Sequence, residues 1–546
     1  MSLLSQASLI VTPNAYKEGK LYSVIPSDGS GDFTFTRATS ATRVNAEGLI
    51  ETASVLGSEL VVNGDFATNS IWTTPTGWSI SNGTLQGTNA NAISATQSGF
   101  SFLNKSFKVE YTITEISQGG IKVFLGGSQS TPQRSAVGTY VEYIDITSGN
   151  STLYIYGINF TGKIDNVSVK EVITNNIPRL DYSLGGCPNI LLEPQRTNLL
   201  LQSSSFDSAS WNKTRSTVTA NATTSPSGVM DADTFTADGS SGVHQVTQSV
   251  SVTSGTTYTY SIYVKKDTNN FVQLGASSTI FGLNFLANFD LNNGVVGSVG
   301  SSTTASIQDV GNGWYRCIIT GAATATTSGS ISALIVTSAS SARAESNTLS
   351  TSVFFWGAQV EAGSYATSYI PTTTASVTRN LETVVKTGAT ALIGQTEGTM
   401  FLDFVKNNND LGVIQISDGT TSNRIYIGIN NTNIIAQVRS GGGAAQAAFT
   451  VAATNNTRYK CAIAYKANDF VLYINGNQEG IDTSGLVPVS FSQFQTSDIV
   501  GSIFVNPINS TALWKERLTN DQLEALTGEG FNTYAEMANY YNYITQ

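Results

Sequence analysis

Short apolar runs, separated by turns rich in glycine, asparagine and serine, recur along the whole chain. Residues 33–37, Phe-Thr-Phe-Thr-Arg, alternate apolar and polar side chains with a period of two, which is typical of a strand with one buried face. Longer alternating runs lie at 245–252 and 257–264. Because turn residues bound these runs at short intervals, the pattern predicts an all-β chain of tandem β-sandwich domains of the jelly-roll type.

A short helical segment is predicted only near the C-terminal end. Thr519 followed by Gln522 is the signal of a capping box, and Gly528 is placed to end that helix. A second Thr-x-x-Glu signal begins at Thr533, and its apolar residues share one helical face. That face is suited to packing against its own domain or against a partner subunit, and the sequence leaves both open.

The chain divides into five predicted parts. Residues 1–56 are too few to bury a core alone, so they are predicted to dock elsewhere or to mediate oligomerisation. Residues 57–174 and 203–372 are predicted jelly rolls, and 175–202 is an apolar connector between them. Residues 373–546 are a third predicted sandwich, which carries the terminal helices.

Charge is sparse and negative. Only 12% of residues are charged, against a usual ~25%. The 28 basic and 38 acidic side chains give a net charge of −10, which argues against binding to nucleic acid or to an anionic membrane surface. No apolar run is long enough for membrane insertion. The first residues lack a basic stretch before their apolar run, so synthesis in a cytoplasm is expected.

Catalytic and metal-binding motifs are not recognisable. Cys187, Cys317 and Cys461 lie far apart, without metal-ligand or disulfide spacing, and are predicted to be reduced core thiols. The single histidine, His244, lies within a predicted strand and has no nucleophile motif near it. The sequence therefore predicts a protein that is not an enzyme.

One segment carries a family resemblance. Residues 192–200, Leu-Glu-Pro-Gln-Arg-Thr-Asn-Leu-Leu, resemble a segment common in fibre and other virion proteins of tailed bacteriophages. Residues 35–44, 313–316 and 356–372 resemble further segments of the same family, in the same order. The resemblance implies a virion location, contacts with other virion proteins and a homo-oligomer, most often a trimer. The apolar character of 190–201 agrees with a buried subunit contact.

Two further resemblances concern the sandwiches. Asn63-Gly64-Asp65-Phe66, then Gly77-Trp78, then the closing run 164–167, Ile-Asp-Asn-Val, resemble carbohydrate-binding modules of the jelly-roll type. This implies that 57–174 is a domain inserted into the virion-type sequence. The Tyr-Ile-Asn-Gly run at 473–476 and residues 513–519 resemble laminin-G and concanavalin-like sandwiches.

Three residues are candidates for binding. The resembling sugar-binding modules hold a structural Ca²⁺ ion near their closing strand, which implies Asp165, with Asp65 from a neighbouring turn, as metal ligands. Five of the six tryptophans lie in strand patterns and are predicted to be core. Trp72 lies in a polar loop without such a pattern, so it is predicted to be exposed and to contact a glycan.

These observations favour a virion structural protein, a tail fibre or spike that binds host surface glycans. A head fibre or capsid-decoration protein is the first alternative. A polysaccharide depolymerase is the second, because a catalytic carboxylate pair can assemble in the fold without a sequence signal.

Overall fold

The computed structural model describes residues 3–407, 411–497 and 503–528. The predicted all-β fold, with sandwich domains and few short helices, is confirmed. The chain forms two compact units: residues 54–174 are one, and residues 1–53 together with 175–546 are the other. Within the described residues no helix is both long and apolar enough to span a bilayer.

The strands of the first third are β1 (Leu9–Val11), β2 (Tyr16–Lys17), β3 (Lys20–Leu21), β4 (Phe33–Thr36), β5 (Thr42–Val44), β6 (Ile50–Thr52), β7 (Val55–Glu59), β8 (Trp78–Ser81), β9 (Thr84–Ala90), β10 (Ile93–Ser98), β11 (Lys105–Leu125), β12 (Gln129–Ser130), β13 (Gly138–Ile146), β14 (Thr152–Ile173), β15 (Arg179–Asp181), β16 (Asn189–Leu191) and β17 (Arg196–Asn198). The middle strands are β18 (Asn212–Thr214), β19 (Ser216–Thr223), β20 (Ala232–Ala237), β21 (His244–Val252), β22 (Thr257–Lys266), β23 (Phe271–Ala276), β24 (Leu286–Asp290), β25 (Val295–Val299), β26 (Thr304–Asp309), β27 (Trp314–Ala322), β28 (Thr327–Ile335) and β29 (Ser352–Ala362). The last strands are β30 (Val377–Arg379), β31 (Thr383–Thr387), β32 (Glu397–Lys406), β33 (Gly412–Ser417), β34 (Arg424–Asn430), β35 (Asn433–Arg439), β36 (Ala445–Ala452), β37 (Thr457–Lys466), β38 (Asp469–Ile474), β39 (Asn477–Asp482), β40 (Gln493–Gln495) and β41 (Ile508–Trp514). A 3₁₀ helix covers Leu3–Gln6, and the α-helices are α1 (Ser278–Phe281) and α2 (Asn520–Thr527).

Residues 54–174 form one eight-stranded antiparallel sheet that folds over its own core. Two long strands, β11 and β14, lie next to each other in this sheet and pair along most of their length. Their register shifts four times between Glu110 and Gly120, and such bulges bend a strand. The bends let the same two strands contribute to both layers around the core.

The second sandwich consists of two six-stranded antiparallel sheets. One has the order β18-β21-β28-β23-β24-β25, and the other has the order β19-β20-β29-β22-β27-β26. Their facing side chains form one core that includes Val246, Leu274, Ile331 and Phe355. Because side chains alternate along each strand, the neighbours of these core residues point to the outer faces of the sheets.

The third sandwich includes strands from residues 1–56, the predicted docking segment, and from residues 175–202, the predicted connector. Strand β1 pairs with β41, with Leu9 opposite Leu513, and β4 pairs with β31 in the opposite sheet. Strands β15 and β16 extend the β41 sheet at its edge, and Ile190 is buried there. The apolar connector is therefore covered by its own chain, so its apolar character is no longer an argument for a subunit contact.

The predicted capping box and the predicted glycine turn are both present in the structure. The Thr519 hydroxyl accepts from the Gln522 backbone N–H, and the Gln522 side chain accepts from the Thr519 backbone N–H, so the capping box opens α2 as predicted. Gly48 takes a φ of 79° in the turn between β5 and β6, which favours glycine. The second predicted helix, from Thr533, lies outside the described residues.

Candidate functional site

Trp72 is buried, which corrects its assignment as an exposed glycan contact. Only 7% of it is exposed, and its indole N–H donates to the Asn63 carbonyl at 3.0 Å. Its ring centroid lies 5.3 Å from that of Phe66 in the core. The preceding residue, Ile71, takes a φ of 74° and is 59% exposed, so the backbone turns the apolar side chain outward and the tryptophan inward. The other five tryptophans are buried, as predicted.

Asp65 and Asp165 lie on segments that meet, since the Val167 N–H donates to the Gly64 carbonyl at 2.9 Å. Each carboxylate accepts a local backbone N–H, from Ala67 at 3.3 Å and from Asn166 at 2.7 Å. Two carboxylates supply too few oxygens for Ca²⁺, which takes about six to eight. In the part of the chain that the structure describes, no three His, Cys, Asp or Glu side chains are grouped as metal ligands. The Ca²⁺ site stays a prediction from resemblance.

Five charged side chains form a buried network, which we call the charge junction: Arg37, Arg179, Glu193, Arg379 and Glu382. Nη1 of Arg37 donates to Oε1 of Glu382 at 2.6 Å, and Nε of Arg179 donates to the same oxygen at 2.9 Å. Nη1 of Arg179 and of Arg379 each lie 2.8 Å from the Glu193 carboxylate. These side chains are at most 8% exposed, so each charge depends on its partners in the junction.

The charge junction controls the protonation of Glu193. Burial alone would raise the pKa of this carboxyl, but the Arg379 and Arg179 guanidinium groups outweigh burial, and Ser368 adds hydrogen bonds from its N–H and hydroxyl. Together they lower the pKa of Glu193 to about 2. Glu193 is therefore ionised at neutral pH and is not suited to donate a proton.

All four segments that resemble virion proteins meet around this junction. Thr42 donates to the Tyr369 carbonyl at 2.5 Å, and Asn198 donates to the Ile370 carbonyl at 2.9 Å. Tyr369 packs with Trp314 and Trp356 in one apolar cluster. These four segments thus have a structural role in this chain: they join the second and third sandwiches within one compact unit.

A polar depression of about 360 Å³ lies on the outer face of the β18–β21–β28–β23–β24–β25 sheet. We call it the groove. Its polar lining residues include Asn212, Gln245, Thr247, Ser330, Ser332 and Arg343, and its small or apolar lining residues include Gly275, Leu286 and Leu334. The register places Thr247 opposite Ser332, and Ser332 opposite Gly275, so these residues form a row across three strands. No aspartate or glutamate lines the groove.

The loop that contributes Arg343 and Ala344 to the groove lining is held in place by hydrogen bonds. Gln273 donates to the Ala342 carbonyl at 2.9 Å and accepts from the Ala344 N–H at 2.8 Å. Arg343 donates to the Leu283 carbonyl at 3.0 Å and to the Ala276 carbonyl. Burial lowers the pKa of this guanidinium. A fixed loop gives the groove a preformed shape.

The polar side chains that line the groove retain unused hydrogen-bonding capacity. Among the described residues, none is a hydrogen-bond partner for the side chains of Asn212, Gln245, Thr247, Ser330 or Ser332. These amides and hydroxyls both donate and accept. Together with the neighbouring Leu286 and Leu334 side chains, they suit a ligand that carries hydroxyl groups around an apolar ring. The groove is suited to binding such a ligand, and its lining contains no pair of carboxyl groups for acid–base catalysis.

Sequence reasoning did not single out the groove, because polar residues alternating along β21 have the same pattern as an ordinary solvent face. It also did not single out Tyr143, the most exposed aromatic side chain in the described ranges, at 70%. Tyr143 lies opposite Lys108 on the sheet of residues 54–174. His244, which the sequence places in a strand without a nucleophile motif, is buried between the carbonyls of Arg215 and Asn347.

No family model and no curated protein sequence matches this chain. Solved structures with partial similarity include the binding domain of botulinum neurotoxin serotype G, at 10% identity and a TM-score of 0.23, over 27% of this chain and 40% of that one. Another is the binding domain of botulinum neurotoxin DC in complex with rat synaptotagmin II, at 15% identity and a TM-score of 0.23, over the same shares. A third is a leech intramolecular trans-sialidase complexed with 2,7-anhydro-Neu5Ac, at 16% identity and a TM-score of 0.21, over 25% of this chain and 24% of that one. The chain thus spans less than half of each, and likeness at this level carries no functional argument.

Proposed function

We propose that this chain is a structural and adhesion protein of a tailed-phage particle, a tail fibre or spike that binds host surface glycans in the groove. The observation that carries glycan binding is the set of unpartnered amides and hydroxyls beside apolar residues in the groove lining. A sugar ring has hydroxyl groups at its edge and C–H groups on its faces, so it complements both parts. Contacts of this kind are weak singly, and several copies on one particle would raise the avidity.

The virion location rests on the resemblance, and the convergence of its four segments supports it. The four resembling segments contact one another in the folded chain. This favours a common structural origin over four unrelated chance similarities. A homotrimer, contacts with other virion proteins and synthesis in the host cytoplasm belong to the same proposal. Light scattering of the full chain tests the trimer, and a monomer at micromolar concentration would overturn that part.

The two alternative functions, a capsid protein and a depolymerase, require different structural features. A head fibre or capsid-decoration protein would have the groove covered by the shell, and labelling the chain on intact particles distinguishes this location from the tail. A depolymerase needs one carboxyl with a raised pKa to act as a general acid. The lowered pKa of Glu193 weighs against that residue in such a role.

The binding test compares three variants of the full chain on a glycan array. Gly275→Val adds a side chain within the groove, where a Cβ has no contact closer than 3.4 Å and φ is unstrained, so the fold should persist while binding is lost. Gln245→Ala should weaken binding by removing one amide. Ser249→Ala is the matched control, because Ser249 lies on the same strand and is exposed outside the groove. Unaltered binding by folded Gly275→Val would overturn the groove as the site.

A further inference from the structure

Arg316 is a buried cation without an ionic partner. It is 6% exposed, and among the described residues no carboxylate lies within ion-pair distance of it. Its Nη2 donates to the Ser261 hydroxyl at 3.0 Å, whereas its Nε has no hydrogen-bond partner. A buried charge is costly unless a counter-charge and hydrogen bonds compensate for lost water. The protein alone supplies only part of that compensation.

Arg316 lines a cleft of about 340 Å³, distinct from the groove. It lies opposite Tyr263 on β22 and opposite Gln308 on β26, and its guanidinium carbon is 5.2 Å from the Tyr263 ring centroid. Tyr263 is 3% exposed and also lines the cleft, and no described residue is a hydrogen-bond partner for its hydroxyl. The Tyr263 hydroxyl is therefore an unused donor, and the Arg316 side chain lines the same small space. Its volume is at the lower end of the range for small-molecule sites.

Three carboxylates line the same cleft, and two of them, Asp181 and Asp309, restrict the ligand, because Glu193 is already paired with Arg179 and Arg379. Asp181 is 4% exposed and accepts the N–H groups of Val44 and Ser183, and Asp309 accepts the Gly311 N–H. Neither has an ion-pair partner in the described ranges, and each retains acceptor capacity for hydroxyl groups. The two unpaired carboxylates disfavour a dianion such as phosphate. A monoanion with several hydroxyl groups satisfies Arg316 and both aspartates together.

We propose that this cleft binds an acidic saccharide, with the sugar carboxylate on Arg316 and sugar hydroxyls on Asp181 and Asp309. Tyr263 donates a further hydrogen bond to the ligand. The site goes beyond the proposed function, because it shares no residue with the groove and does not depend on it. The acid is either a free uronic acid or the end of a glycan chain, since both present the same carboxylate and hydroxyl groups.

The test titrates the full chain with glucuronate, followed by calorimetry or saturation-transfer NMR. Glucose is the neutral counterpart, and acetate is the carboxylate without a ring. We expect glucuronate to bind and the other two to fail at the same concentration. Arg316→Gln should weaken glucuronate binding by about ten- to a hundredfold, the loss of a charge-assisted hydrogen bond. Arg439→Gln is the matched control, a half-buried strand arginine outside the cleft.

A second variant and a second ligand allow the titration to decide the proposal in every case. If Arg316→Gln fails to fold, Tyr263→Phe replaces it and should weaken binding several-fold, because the lost hydroxyl has no protein partner. An oligosaccharide ending in glucuronate that binds as the monosaccharide does identifies a glycan end, and binding of the monosaccharide alone identifies the free acid. The proposal is overturned by a wild-type chain that does not bind glucuronate, by acetate binding equally well, or by loss of binding in Gly275→Val.

Discussion

Nη1 of Arg37 donates to the carboxylate of Glu382 across 2.6 Å, although the two residues lie 345 positions apart and both side chains are fully buried. The Glu382 carboxylate also accepts hydrogen bonds from the Arg179 guanidinium and from the backbone N–H of Glu193, the latter at 2.8 Å. One carboxylate thus holds together segments from the start, the middle and the last third of the chain.

Glu382→Gln should destabilise the fold by about 3–5 kcal/mol, because it leaves Arg37 and Arg179 buried without their shared counter-charge. Urea unfolding of the full chain, followed by fluorescence, measures the change. Glu479→Gln, an exposed glutamate on β39 of the same sandwich, is the control and should change the midpoint little. Equal midpoints for the two variants would contradict the structural role of the charge junction.

Acid should weaken the charge junction through Glu193. Its folded pKa of about 2 lies below the ordinary value of 4.5, so its contribution is present above pH 4.5 and disappears as the pH falls toward 2. The shift corresponds to roughly 3 kcal/mol. Unfolding midpoints measured across this range should fall for the wild type, and Glu193→Gln should flatten the profile. An unchanged slope in the variant would show that other carboxyls dominate acid unfolding.

Trp72→Ala should cost about 3–5 kcal/mol, as expected for deleting a large buried aromatic side chain. Ile71→Ala changes the neighbouring, mostly exposed residue and should cost far less. Calorimetry of the full chain separates the transition of residues 54–174 from the rest. If the two variants unfold at the same temperature, Trp72 does not contribute to the core as its burial indicates.

Residues 54–174 should fold when expressed alone, because this unit contains its own sheet and its own apolar core. The expected result is one cooperative thermal transition and dispersed amide signals in NMR. A matched fragment, residues 203–372, contains both sheets of the second sandwich but lacks Arg37, Glu193 and Glu382. We expect it to be less stable than in the full chain. A disordered 54–174 fragment would contradict its independence.

Local chemistry made much of the fold predictable. Alternation of apolar and polar residues, as in 33–37, identifies strands because side chains point to opposite faces. Gly48 in its hairpin and the Thr519–Gln522 capping box act through neighbouring backbone atoms alone, so the sequence pattern suffices. The five tryptophans in strand patterns are buried for the same reason. Trp72 was missed because an irregular loop has no period from which to infer direction.

Pairings across long separations were decided only by the tertiary structure. Leu9 opposite Leu513 completes a sheet, and nothing near either residue indicates the other. The charge junction and the cleft at Arg316 each gather side chains from distant segments, and burial, which sets their energies, exists only after folding. The groove depends on register, since Thr247, Ser332 and Gly275 form a row only when three strands align. The sequence by itself determined which segments are strands and turns, because those preferences are local; the partners of each strand, and hence the sites, follow from long-range packing.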